Sequence, residues 1–303
     1  MKLTTIESDE HRRALRRQHV GSSEVAALFD ASPYFTRFML WHDKVGTAPL
    51  PEPENARVDW GQMLEPAIAA GVAREMRWQV EPFQRYAAHD TVEGWGCSID
   101  FHVVDHEAGP GVVEVKNVDW LRWRQEWSES RAPLHIELQL QHQLGASGYG
   151  WGAIAVLIGG NELRIYERQP ERRALREIEA AIGAFWASVR SGTAPDPFGA
   201  AVENATLRAL WPAIEPEKTV DLTGDEEAAE LARQFAWAKG QVDAHQPIRE
   251  AARVKLLARI GDAGRVVMPG ARIKVSRRRA LTVEIVDEAA MEAAFAEPSF
   301  PMI

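Results

Sequence analysis

Cysteine is nearly absent from this chain: Cys97 stands alone in 303 residues. One thiol excludes an internal disulfide, and it excludes a zinc or iron–sulfur site built from several thiolates of one chain. Long apolar runs are also missing. Runs such as Ala153 to Ile158 are far too short to cross a bilayer, so no membrane role is expected. The N-terminus carries Glu7, Asp9, Glu10 and several arginines and lacks the apolar centre of a secretory signal, which makes the cytosol the expected compartment. Positive charge is in deficit: 35 Lys and Arg against 44 Asp and Glu give a net charge of −9. That weighs against nonspecific coating of nucleic acid, yet it leaves room for an enzyme whose acids hold metal beside a local basic groove. No G-x-x-x-x-G-K-[ST] loop occurs, and with it goes the expectation of an ATP-driven motor of that kind.

What is present reads as an ordinary globular chain, 46% hydrophobic and 26% charged, long enough for one large domain or two unequal ones. Ser8 opens a short polar helix through Arg17. Gly21-Ser22-Ser23 ends it, with a serine placed to cap an apolar helix from Glu24 to Phe29. Thr36 to Val45 and Trp60 to about Trp78 read as helices, the second with Leu64, Ile68 and Val72 on a buried stripe and Glu65 beside it. Strands are expected near 80–86, 96–104 and 111–116. A helix from Leu134 to about Ala146 follows, then strands Gly152–Ile158 and Glu162–Glu167 around the hairpin signal Gly159-Gly160-Asn161. Pro170 opens a further helix to Gly192. The Pro-rich segment from Thr193 to Phe198 marks a boundary, dividing residues 1–198 from residues 199–303. The second part reads as a helical hairpin broken near Pro247, followed by short strands. The expected class is α/β: a central mixed sheet flanked by helices, with a mainly helical C-terminal extension.

The chemistry concentrates in Cys97-Ser98-Ile99-Asp100 and Val113-Glu114-Val115-Lys116, joined across the turn Gly109-Pro110-Gly111. Glu114 and Lys116 share one strand face, Val113 and Val115 the other. Pairing around the turn is expected to set Asp100 opposite Lys116 and diagonal to Glu114. Two carboxylates beside an ammonium make a poor core and a good divalent-cation site. Asp100, Glu114 and the Val115 backbone carbonyl are candidate metal ligands, Glu65 is a further one, and Lys116 is poised over an attacking water. A solvated hairpin face is the alternative that this spacing leaves open.

The order of motifs narrows the choice. Arg16 with Gly21-Ser22-Ser23-Glu24-Val25 and Ser32-Pro33-Tyr34, then Trp60 to Glu65, then the Asp100 and Glu114-Val115-Lys116 pair, then Gln139-Leu140-Gln141-His142-Gln143-Leu144, run in sequence. From about Arg16 to Pro195 the chain resembles the YqaJ-like phage recombinases, relatives of lambda exonuclease in the PD-(D/E)XK nuclease superfamily. The resemblance implies a restriction-endonuclease-like core and a Mg²⁺- or Mn²⁺-dependent deoxyribonuclease, a 5′-to-3′ exonuclease acting on linear duplex DNA in phage-type recombination. It implies catalytic roles for Glu65, Asp100, Glu114, Lys116 and Gln139, with Gln139 near the metal or the scissile phosphate. Arg16 and Ser23 would hold the terminal 5′-phosphate. A ring-shaped homo-oligomer and a single-strand annealing partner are further expectations of the resemblance. The family often has Gly-Ser-Asp where this chain has Ser22-Ser23-Glu24, and the part after Pro195 lies outside the lambda-like core.

Other residues carry two readings each. Trp120, Trp123 and Trp127, interleaved with Arg122 and Arg124, suit either a buried helix face or base stacking. His102 could approach the metal or be a polar strand residue; His142 and Gln143 could meet the site or solvent. Arg272, Lys274, Arg277, Arg278 and Arg279 form a basic run that suits a protected strand edge or contacts to DNA. Competing functions are an endonuclease of the same superfamily, a non-catalytic DNA-binding module with the same fold, and an acid–base hydrolase using Glu65 and Glu114. Lys116 has no role in the last, and the single Cys97 argues against the iron–sulfur branch of CRISPR-adaptation relatives.

Overall fold

A computed structural model describes residues 1–51, 56–278 and 280–290. The chain divides into two compact units, Met1–Ile214 and a second beginning at Glu215. In the first, β1 (Lys2–Thr5) leads to α1 (Asp9–Arg17), capped by the Ser8 hydroxyl, which accepts from the His11 N–H at 3.1 Å. A 3₁₀ turn (Val25–Phe29) stands where an apolar helix was expected, and no serine caps it. Five residues cannot complete a stable α-helix, and the N-cap residue Glu24 turns its carboxylate back to accept from the Gly21 N–H instead of capping the turn. Then come α2 (Arg37–Val45), capped by Thr36, and the long α3 (Ala56–Met76).

Strands β2 (Val80–Pro82), β3 (Arg85–Ala88), β4 (Gly96–Ser98), β5 (Phe101–Val103) and β6 (Gly111–Val118) follow. After them run α4 (Trp120–Glu126), α5 (Leu134–Ser147), β7 (Gly152–Ile158), β8 (Glu162–Arg168), α6 (Arg172–Ser191) and α7 (Asn204–Leu210). Among the described residues of this unit the strands make two sheets. One is three-stranded, β1-β3-β4; the other is five-stranded and mixed, β2-β5-β6-β7-β8. The β6–β7 pair is parallel, its crossover supplied by α4 and α5, while β7 and β8 form a hairpin whose Gly159 and Gly160 take φ of +57° and +81°.

Alternation along the strands gives the large sheet two apolar faces. Val113, Val115, Phe101 and Val103 pack with Ile68 and Val72 of α3. Val112, Ile154, Val156 and Ile158 pack with Leu140 and Leu144 of α5 and Ile178 and Ile182 of α6. Burying both faces of a sheet demands apolar residues at every position, so a charged residue inside it marks a departure with a cause. Glu114 on the α5 face, 1% exposed, is that departure.

The expected single strand over 96–104 is instead two, in different sheets. Cys97 and Ser98 pair with Ala87 and Tyr86, whereas Phe101 to Val103 pair with Val113 to Gly111. The chain changes sheet at Ile99-Asp100. Residues 199–214 belong to the first unit: the buried Glu203 accepts from the Thr36 hydroxyl at 2.6 Å and from the N–H groups of Phe198, Gly199 and Ala200 at 2.9, 2.8 and 3.1 Å. The unit boundary therefore falls after Ile214 and not at Phe198. In the second unit the expected hairpin is not formed, for α8 (Glu226–Ile260) continues through Pro247. It leads into the antiparallel meander β9 (Arg265–Met268), β10 (Ala271–Val275) and β11 (Leu281–Ile285).

Candidate active site

The β5–β6 register pairs Phe101 with Val113, so one step further Asp100 stands opposite Glu114. Directly opposed residues in an antiparallel pair share a face. The expected placement of Asp100 opposite Lys116 is thus corrected by two residues, because the chain leaves the large sheet at Asp100 and the turn is longer than a tight hairpin. Where β5 has ended, the Asp100 side chain continues the ladder: its Oδ2 accepts from the Val115 N–H at 3.2 Å. The Val115 carbonyl points to the same strand edge as its N–H, hence toward Asp100.

Glu114 is held on all sides. Its Oε1 accepts from Gln139 Nε2 at 2.6 Å and from the Lys116 ammonium, and its Oε2 accepts from Gln143 Nε2 at 2.6 Å. Gln139 and Gln143 stand one turn apart on α5, where positions i and i+4 share a face. Gln143 is fully buried and its Oε1 lacks a hydrogen-bond partner, so its amide is committed to the carboxylate through the nitrogen. Glu65 comes from α3, one turn before Ile68. Burial raises its pKa, and the Glu114 charge raises it further.

The electrostatics are those of crowded acids. Burial, then repulsion from Glu114, pushes Asp100 up to about 8, with Glu65 adding to the rise and Lys116 opposing it. Burial works against the Lys116 ammonium, yet the Glu114 and Asp100 carboxylates outweigh it and hold its pKa above the ordinary value. Three carboxylates face one ammonium, so the cluster has room for added positive charge. Among the described residues no three His, Cys, Asp or Glu side chains already converge as a ready metal cage. Fully ionised, Asp100, Glu114 and Glu65 offer hard oxygen donors of the kind Mg²⁺ takes, and a cation would relieve the repulsion that burial amplifies.

Arg16 and Ser23 lie on a neighbouring segment seated on α5. The Val20 carbonyl can only accept, so His142 Nε2 donates to it at 3.0 Å, and Trp95 Nε1 donates to the His142 carbonyl at 3.0 Å. Gly145 makes room for that indole, since a Cβ there would meet the Trp95 ring at 2.1 Å. Ser23 is exposed. Arg16, 49% exposed, sends Nη2 to Glu24 Oε1 at 3.4 Å, a long contact that leaves most of its N–H groups open.

The remaining candidates separate clearly. His142 is fully buried and meets neither the site nor solvent. His102 lies edge-on to Phe83 and near the Tyr149 hydroxyl, a polar strand residue. Trp123 and Trp127 are core, with the Arg164 guanidinium over the Trp123 ring at 4.4 Å, whereas Trp120 is 46% exposed. Arg272 and Lys274 alternate with the buried Ala271 and Ile273 on β10, and Arg277 and Arg278 sit exposed in the following turn. All four belong to the second unit; Arg279 lies outside the described residues. The sequence reading missed the ion pair of Glu24 with Lys44 on α2, at 2.6 Å, because a contact between residues so far apart leaves no local periodicity.

The chain is 26% identical over 230 residues to the uncharacterised protein YqaJ of Bacillus subtilis (strain 168), covering 75% of this chain and 70% of that protein. In fold it is similar to LHK-Exo in complex with dAMP, with a TM-score of 0.50 and 20% identity over 61% of this chain and 94% of that one. Another structure of LHK-Exo, an alkaline exonuclease from Laribacter hongkongensis, matches with a TM-score of 0.49 and 19% identity over 66% of this chain and 97% of that one. Residues 13–150, which hold Arg16, Ser23, Glu65, Asp100, Glu114, Lys116 and Gln139, match the YqaJ-like viral recombinase domain.

Proposed function

We propose that this protein is a divalent-metal-dependent deoxyribonuclease, a 5′-to-3′ exonuclease on linear duplex DNA in phage-type recombination, acting in the cytosol of a bacterial or phage-infected cell. The observation that carries the reading is the buried Asp100–Glu114 pair with Lys116 and Glu65 beside it, an arrangement that costs stability and suits phosphodiester hydrolysis. The match to the recombinase domain and the likeness in fold to LHK-Exo, described as an alkaline exonuclease, point the same way.

In this reading Asp100, Glu114 and the Val115 carbonyl hold Mg²⁺ or Mn²⁺, and Glu65 adds a fourth oxygen donor. The bound cation supplies charge relief on the phosphate and a more acidic water. Gln139 and Gln143 keep the Glu114 carboxylate in one orientation, so little reorganisation is left when phosphate arrives. Lys116, 27% exposed at its side chain, stays protonated, fit to orient the attacking water and to oppose charge growing on the phosphate. Arg16 and Ser23 hold the terminal 5′-phosphate, a guanidinium and a hydroxyl being suited to that group.

Lys116→Ala should cut turnover of a linear 5′-phosphorylated duplex by at least about 10³-fold while DNA binding changes little. A covalently closed plasmid should survive the wild-type protein. Full activity of the variant removes Lys116 from the mechanism, and cutting of the closed plasmid replaces exonuclease with endonuclease.

A further inference from the structure

Beneath Arg16 and Ser23 lies a charged cluster that the chemistry above does not use. Glu24, 3% exposed at its side chain, accepts from the Gly21 N–H at 2.7 Å and from the Lys44 ammonium at 2.6 Å through Oε2, and from Arg16 through Oε1. Lys44, 1% exposed, donates also to the Arg16 backbone carbonyl at 2.9 Å. One ammonium thus joins the end of α1, the Gly21–Glu24 turn and α2. A buried ion pair brings little net stability, because desolvation offsets the attraction, so its retention asks for another reason. Lys44 is too deeply covered to touch a ligand. Arg16 is half in solvent, and a free arginine side chain would lose much rotamer freedom on clamping a phosphate. The Asp43 carboxylate also lies 3.9 Å from the Lys44 ammonium, so the buried cation is matched and Arg16 is the cation left half in solvent, on the segment where Ser23 is exposed.

We infer that Glu24 and Lys44 are positioning residues for end recognition: they hold Arg16 and Ser23 preset for a terminal phosphate, and so set the preference for phosphorylated over hydroxylated 5′ ends. The inference rests on the 5′-phosphate reading given above. Glu24→Gln keeps the shape and removes the charge that aims Arg16; Glu24→Gln with Lys44→Met removes the buried pair as a whole and guards against misfolding from an unpaired ammonium.

The test is metal-free fluorescence anisotropy with a hairpin duplex bearing either a 5′-phosphate or a 5′-hydroxyl, read as the ratio of the two affinities. Wild type should prefer the phosphorylated end at least about tenfold, and both variants should bring the ratio within about twofold of one. A merely structural loss lowers both affinities together and leaves the ratio standing; an unchanged ratio in the variants therefore overturns the inference alone. A wild-type ratio near one overturns the 5′-phosphate reading and the inference with it, while Lys116 and the carboxylates keep their own test.

Discussion

His142 shows how a single side chain can look functional in sequence and prove structural in space. It sits between Gln141 and Gln143 on the helix that faces the acids, yet it points into the core and grips the Val20 carbonyl. Burial depresses its pKa to about 3, and its Nδ1 has no partner, so the ring is neutral. A base whose folded pKa lies below its unfolded value near 6.5 stabilises the fold fully above that value and loses the contribution as pH falls toward 3. Stability should accordingly drop between about pH 6.5 and pH 3. His142→Gln, which can still donate to Val20 but does not titrate there, should flatten that part of the profile in denaturant titrations at successive pH values. An unchanged slope would assign the acid sensitivity to other groups.

Among the elements, α8 departs furthest from its expected form. Proline in a helix interior costs about 3 kcal/mol relative to alanine, which is why the chain around Pro247 reads as a break. The structure instead carries the helix through, capped by Asp225, whose side chain accepts from the Ala228 N–H at 2.9 Å, and braced by the pairs Glu230–Arg233, Lys239–Asp243 and Glu250–Arg253. Pro247→Ala should stabilise this helix by about 1–3 kcal/mol, seen as helical circular dichroism persisting to higher temperature. Lost helicity in that variant would show that the proline serves a true interruption. The strand over 96–104 teaches the converse. Its β-forming residues mark strand correctly, but alternation cannot tell which sheet each half joins, and the switch at Asp100 is the feature that frees this side chain to face Glu114.

The limits of the folded units follow from side chains more than from composition. Pro195 and Pro197 suggest a linker, yet Glu203 ties residues 198–203 back to Thr36 of the same unit. A chain ending at Ile214 should melt like the first unit of the full protein, whereas one ending at Phe198 should lose about 2–4 kcal/mol, since Thr36 and the Phe198 end forfeit hydrogen bonds to a buried carboxylate. Calorimetry of the two truncations decides the boundary; equal melting would return it to Phe198. Among the described residues no helix is long and apolar enough to cross a membrane, which agrees with the short apolar runs of the sequence.

Much of the site was legible beforehand, for reasons of period. Glu114 and Lys116 two apart on a strand, and Gln139 and Gln143 four apart on a helix, share a face whatever surrounds them, because backbone geometry alone dictates it. The helices over 37–45, 134–147 and 172–191 and the Gly-Gly-Asn hairpin followed from caps, stripes and turn residues in the same local way. Register, sheet membership and ion pairs between distant segments did not, since each depends on which surfaces meet once the chain has collapsed. The Asp100–Glu114 opposition, the Gln143 grip and the Glu24–Lys44 pair all belong to that second kind. Local stereochemistry acts before folding and can be read residue by residue; the meeting of surfaces is a property of the packed core, where burial turns a few charges into a site.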